Sequence, residues 1–126
     1  MHLVPPERRD RRVLDDERVC KAIEALGNQD DLATWATRFS ILGDRSRLTL
    51  LLSIAEAGPI SVTDLATATG INDTTVSQSL RLLRAAGTVV GRRDGRMIRY
   101  ELADREIGQL LRHLTKAEHG PRHAAQ

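Results

Sequence analysis

The sequence predicts a mainly α-helical fold with one small β-hairpin, in the order ααααα-ββ-α. Three observations carry that prediction. Apolar residues recur at three- and four-residue spacing through most of the chain. Aromatics are only 2% of residues against 40% hydrophobic, so aliphatic side chains must build the core, which favours helix-on-helix packing. One stretch alone, Thr88 to Leu102, switches to two-residue alternation, and Asp94-Gly95 divides it as a strong two-residue hairpin turn. A length of 126 residues is that of one domain.

Residues 1–14 read as a flexible basic arm, where Pro5-Pro6 blocks a helix and Arg8, Arg9, Arg11 and Arg12 cluster. Residues 15–118 form the folded domain, which begins with an extra helix. Asp15, Asp16 and Glu17 supply the negative first turn, and Val19, Ala22, Ile23 and Leu26 follow at helical spacing until Gly27-Asn28. A second helix, from about Asp30 to Leu42, carries Leu32, Trp35, Ala36, Phe39 and Leu42 on one stripe. Asp44 or Ser46 caps the third, which bears Leu48, Leu51, Leu52 and Ala55 and stops at Gly58-Pro59.

Ser61 caps a short helix from Val62 to Ala68, closed by Gly70. Asn72 or Asp73 caps the next, whose Val76, Leu80 and Leu83 face inward until Gly87. In the hairpin, Thr88–Arg92 and Arg96–Leu102 are the strands; Ile98, Tyr100 and Leu102 share one face, Met97, Arg99 and Glu101 the other. Asp104 caps a final helix with Ile107, Leu110, Leu111 and Leu114 apolar, fraying near Gly120-Pro121 and leaving residues 119–126 as a short tail.

The formal net charge is only +2, but its distribution is uneven. Between Asn72 and Arg99 six arginines (81, 84, 92, 93, 96 and 99) face two aspartates (73 and 94), a local +4. Focused positive charge of this kind suits phosphate contact. The single cysteine, Cys20, excludes an internal disulfide, a CxxC redox pair and a cysteine-based zinc site; it reads as a buried apolar residue or a lone thiol. With neither an apolar leader nor a membrane-length apolar run, the expectation is a cytoplasmic protein without a membrane partner. Nucleophile elbow, P-loop, HExxH and paired-carboxylate patterns are absent, so no enzyme is expected.

The helix from Asp73 to Ala86 has the composition that groove reading requires. Its outward residues are Thr74, Thr75, Ser77, Gln78 and Arg81. Hydroxyls donate or accept, a glutamine amide pairs bidentately with adenine, and arginine reaches guanine or phosphate. Thr74, Thr75 and Gln78 sit nearest the helix N-terminus and are assigned to bases; Arg81 to phosphate or a mixed contact. The adjoining hairpin brings Arg92, Arg93, Arg96 and Arg99 together at a tight turn, where like charges need an anion. Helix, turn, helix and basic hairpin make a winged helix-turn-helix for double-stranded DNA. The bland alternative is a solvated polar face, and a rival use is protein or RNA contact.

At these residues the chain resembles the ArsR/SmtB family of bacterial metal-responsive repressors. The string Leu42-Gly43-Asp44-Arg45-Ser46-Arg47-Leu48 is similar to that family's L-x-D-x-x-R-L motif before the third helix. The likeness continues through Ser61–Ala66, Thr75–Leu83, Ala86-Gly87 and Gly95–Tyr100, covering about Asp30 to Glu118. The resemblance implies a homodimer joined by the first core helix and the last helix, repressing an operator until a ligand releases it. A two-fold dimer reads an inverted repeat with half-sites about one turn (10–10.5 bp) or a multiple apart.

The resemblance also bears on the effector. Family members that sense soft metals carry thiolates before the recognition helix, and Ile60–Asp64 holds none. A second family site pairs the start of the last helix with its end across the dimer. Here that implies Asp104 and Glu106 with Glu118, His119 and His123, similar to nickel- and cobalt-sensing members, and donors of this kind suit nickel, cobalt or zinc. Glu106 stands where those sensors have histidine, and Glu118 and His119 fall about 100° from the aligned face. The metal is expected as an effector, not as a requirement for folding. A redox signal, another non-metal ligand or no ligand is the alternative.

Overall fold

The computed structural model describes residues 3–125, with side chains from Leu3 to Thr115. Among the described residues there are six α-helices: α1 (Asp16–Leu26), α2 (Gln29–Leu42), α3 (Arg45–Ala57), α4 (Val62–Thr69), α5 (Asp73–Ala85) and α6 (Arg105–Ala125). Three strands, β1 (Ile60–Ser61), β2 (Val89–Asp94) and β3 (Met97–Leu102), form an antiparallel sheet in the order β1-β3-β2. The expected mainly helical winged helix-turn-helix is therefore present, with one strand more than the hairpin alone. Backbone contacts divide the chain into two compact units, Met1–Phe39 and Ser40–Gln126.

In the first unit the basic arm contains a 3-10 turn at Pro6–Arg8, and Val4 is buried. Asp15 caps α1 by accepting from the Arg18 amide at 3.2 Å, and Asn28 caps α2 by accepting from Asp31 at 2.7 Å. The α2 stripe keeps Leu32 and Phe39 exposed (44% and 57%), with Trp35 half-buried. Trp35 and Phe39 stack at 5.7 Å, and the Arg38 guanidinium lies 4.8 Å from the Trp35 ring.

The second unit holds the core. Leu50, Leu51 and Ile54 of α3 meet Leu65 of α4, Val76, Leu80 and Leu83 of α5, Val89 and Tyr100 of the sheet, and Ile107 and Leu111 of α6. The family-like Asp44-x-x-Arg47 string proves to be a helix joint. Asp44 accepts from the Arg47 amide at 3.0 Å and caps α3, while the Arg47 guanidinium donates to the Ile41 and Ser40 carbonyls at 2.9 and 3.1 Å. One residue pair thus satisfies orphan groups of α3 and α2 at once.

Four local features differ from the sequence reading. The strand β1 went unforeseen because two residues offer no alternation to read; Ile60 and Ser61 pair with Tyr100 and Arg99, and Ser61 also caps α4. The hairpin turn is Gly95-Arg96 rather than Asp94-Gly95, since Asp94 pairs with Met97. Gly95 takes φ +65°, and among the described residues no other residue type has positive φ, so the glycine occupies the first turn position. Thr88 is not in β2 because its amide donates to Leu83 at the end of α5, while its carbonyl accepts from Ala103 and Asp104. The assigned extent of α6 passes the Gly120-Pro121 pair where fraying was expected; the side chains of residues 116–125 lie outside the described residues.

Candidate nucleic-acid interface

The site is built on the α4-turn-α5 segment and the β2–β3 wing. Ser61 starts α4 by accepting from the Asp64 amide at 3.2 Å. Gly70 ends it at φ +75°, a left-handed conformation that suits glycine. Two residues later Asn72 caps α5 by accepting from Thr75 at 2.8 Å. Helix α4 and helix α5 are therefore linked by three residues, 70–72, which is helix-turn-helix spacing.

Helix α5 is anchored by Val76, Leu80 and Leu83, each 1% exposed or less. At 100° per residue, Thr74, Ser77, Gln78 and Arg81 fall on the opposite side as one i, i+3, i+4, i+7 stripe, and all four are exposed. Thr75 is different. It lies about 100° away from that stripe and is half-buried, on the flank with Leu82. The stripe offers two hydroxyls, one amide and one guanidinium, without a carboxylate. Among the described residues the side chains of Gln78 and Arg81 make no hydrogen bond or ion pair, so their polar groups are available to a ligand.

The wing extends from the core. Its base is fixed by buried Val89 and Tyr100, and Gly91 lies opposite Tyr100. A Cβ at Gly91 would come 3.1 Å from both Ile98 Cγ2 and Tyr100 Cε1, so the missing side chain lets those two close over the backbone. Ile98 shares a face with Tyr100 and Leu102 as expected, but it is 40% exposed, because the strand has passed the edge of the core there. Arg92 and Arg99 stand directly opposite each other. Arg92 bonds Glu101, and Arg99 Nε lies 3.4 Å from Asp94. Glu101, absent from the sequence-derived set, is thus part of the wing; the Arg99-x-Glu101 alternation was its available signal. The mutual repulsion expected of four wing arginines is partly relieved inside the protein.

The metal set is less assembled. Asp104 Oδ1 accepts from the Glu106 and Ile107 amides at 3.0 and 3.1 Å, which makes it the cap of α6. Among the described residues, no group of three or more His, Cys, Asp or Glu could hold a metal ion. The side chains of Glu118, His119 and His123 lie outside the described residues. Asp104 and Glu106 are hard oxygen donors and suit a divalent cation, but within one protomer they supply only two ligands. None of the described helices is long and apolar enough to cross a membrane.

Residues 44–89 match the sequence profile of the family described as "Bacterial regulatory protein, arsR family". The transcriptional repressor SmtB homolog of Synechocystis sp. is 34% identical over 84% of this chain and 80% of its own length. The HTH-type transcriptional regulator NmtR of Mycobacterium tuberculosis is 46% identical over 60% of this chain, and that match spans 62% of NmtR. The solution structure of apo-NmtR superposes with a TM-score of 0.57 at 33% identity, covering 93% of this chain and 87% of that one.

Proposed function

The chain belongs to the ArsR family of bacterial regulatory proteins, and from that membership we propose that it represses transcription as a homodimer released from its operator by a divalent metal ion. Its relatives are named a transcriptional regulator and a transcriptional repressor, and the same role, exercised by binding DNA rather than by catalysis, is the reading for this chain. The observation that carries the reading is the α5 stripe: four exposed polar residues, acid-free, directly opposite three fully buried anchors. An amide and a guanidinium held rigidly on one helix face can read base edges in a major groove. Arginines from the wing, drawn from Arg92, Arg93, Arg96 and Arg99, then contact the adjacent backbone. Thr75, on the flank, fits a sugar-phosphate contact better than a base.

Dimerisation is supported by apolar surface left uncovered in one chain. Leu32 and Phe39 of α2 and Leu114 of α6 are 44%, 57% and 45% exposed, on the two helices from which family resemblance implies the interface. A two-fold axis would then place two α5 helices on an inverted repeat.

For the effector, Asp104 and Glu106 with Glu118, His119 and His123 are the proposed ligands, and nickel, cobalt or zinc the proposed ions. The Asp104 carboxylate already orders the first turn of α6, so a ligand drawn to it acts at the helix start. Bound metal would supply Lewis-acid coordination linking groups of the two last helices; coupling of this kind is typically about 1–3 kcal/mol. The test is release of a protein–operator complex by nickel, cobalt and zinc in turn. At least one ion is expected to weaken the complex about 5- to 150-fold, and the H119A/H123A variant to lose that response while keeping operator affinity. If all three ions leave the complex intact, the effector is a redox or other non-metal signal, or there is none.

A further inference from the structure

The pairing register sorts the wing into two unlike faces. Successive residues of a strand point to opposite sides, and directly paired residues share a side. Val90, Arg92 and Asp94 therefore share a face with Glu101, Arg99 and Met97. Two arginines and two acids on that face sum to zero charge, and they are joined as diagonals, Arg92 to Glu101 and Arg99 to Asp94. Glu101 is the more sheltered acid, its side chain 31% exposed, which strengthens its hold on Arg92.

The other face carries Val89, Gly91 and Arg93, paired with Leu102, Tyr100 and Ile98. It starts as the core wall, where Val89 and Tyr100 meet the α5 anchors, and continues outward as Arg93 and Ile98. Arg93 is thus on the sheet side on which α5 packs. Arg96 occupies the turn itself, next to Gly95. Among the described residues neither Arg93 nor Arg96 has an ion-pair partner, so the α5 side and the turn together hold +2 without an acid. Ile98, lying over Gly91, braces the strand pair beneath Arg93.

We infer that Arg93 and Arg96 alone carry the wing's phosphate contacts, whereas Arg92 and Arg99 are cross-braces that Glu101 and Asp94 keep off the DNA. The inference rests on the DNA-binding reading above and divides its wing between two tasks. A duplex docked on the outer stripe of α5 meets the α5-side face of the wing, where two guanidinium groups can bind phosphate without first leaving a carboxylate. Engaging Arg92 or Arg99 would require breaking an existing pair.

The salt dependence of operator affinity tests this, because each neutralised phosphate adds about 0.9 to the slope of log K against log salt. R93Q and R96Q are each expected to flatten the slope by about 0.9 per protomer. R92Q and R99Q should flatten it by less than a third as much. E101Q should act in the opposite sense, releasing Arg92 so that affinity rises at low salt and the slope steepens. A merely structural role of Glu101 would not produce that gain. Equal flattening by all four arginine variants, or weaker binding by folded E101Q, overturns the inference while leaving the DNA-binding reading in place. Absence of wild-type binding to any selected duplex overturns both.

Discussion

Replacing Gln78 and Arg81 together with alanine is expected to lower affinity for a selected operator by about 2–5 kcal/mol, roughly 30-fold to several thousand-fold. Each side chain can make one good base or phosphate contact, typically worth about 1–3 kcal/mol. Both are exposed and neither bonds within the protein among the described residues, so the double variant should keep its fold. Surface changes of this kind usually move stability by less than about 0.5 kcal/mol. Affinity by fluorescence anisotropy and unfolding by circular dichroism, measured on the same sample, separate the two quantities. A double variant that still binds the operator like wild type removes the α5 stripe from recognition.

Leu80→Ala is expected to have the largest effect on stability, about 2–5 kcal/mol. Leu80 is 1% exposed and sits midway along α5, between Val76 and Leu83 in the core. Truncation removes buried methyl groups and leaves a cavity that rigid helix and sheet neighbours close only in part. For a chain of this size the midpoint of thermal unfolding should fall by on the order of 10–20 °C. Operator binding should be lost only in proportion to the unfolded fraction, because Leu80 faces away from the reading stripe. Thermal melts at fixed protomer concentration check this, and a fall of under a degree or two would mean that the core does not anchor α5.

Those two variants sit on opposite sides of one helix, and that separation was legible in the sequence. The 3.6-residue period placed Val76, Leu80 and Leu83 inside, and the cap candidates Asp44, Ser61, Asn72 and Asp104 fell where their side chains accept amide hydrogens. Periodicity assigns a side of a helix well but its flank poorly. Thr75 has the residue type for base reading and an angular position that leaves it half-buried.

The wing shows another limit. Composition gave a run of arginines, but their partners depend on register, and a one-residue move of the turn changes which side chains face each other. With Gly95-Arg96 at the turn, Arg92 opposes Arg99, and Asp94 and Glu101 come within reach of them. Likewise β1 exists because Ile60 and Ser61 meet an edge of β3 supplied about forty residues later, a contact that local pattern does not encode. The Asp44–Arg47 joint illustrates the converse: a motif that marks the family by sequence is explained by backbone carbonyls it satisfies, not by a ligand.

The most direct test of two α5 stripes reading one operator is binding to a selected inverted repeat whose half-sites are moved apart. Centre-to-centre spacing of one turn, about 10–10.5 bp, or a whole multiple of it should bind two protomers tightly. Inserting about five base pairs, half a turn, turns the second half-site to the far side of the duplex and should cost most of the affinity. Equal affinity at both spacings, or saturation by a single protomer, contradicts the account.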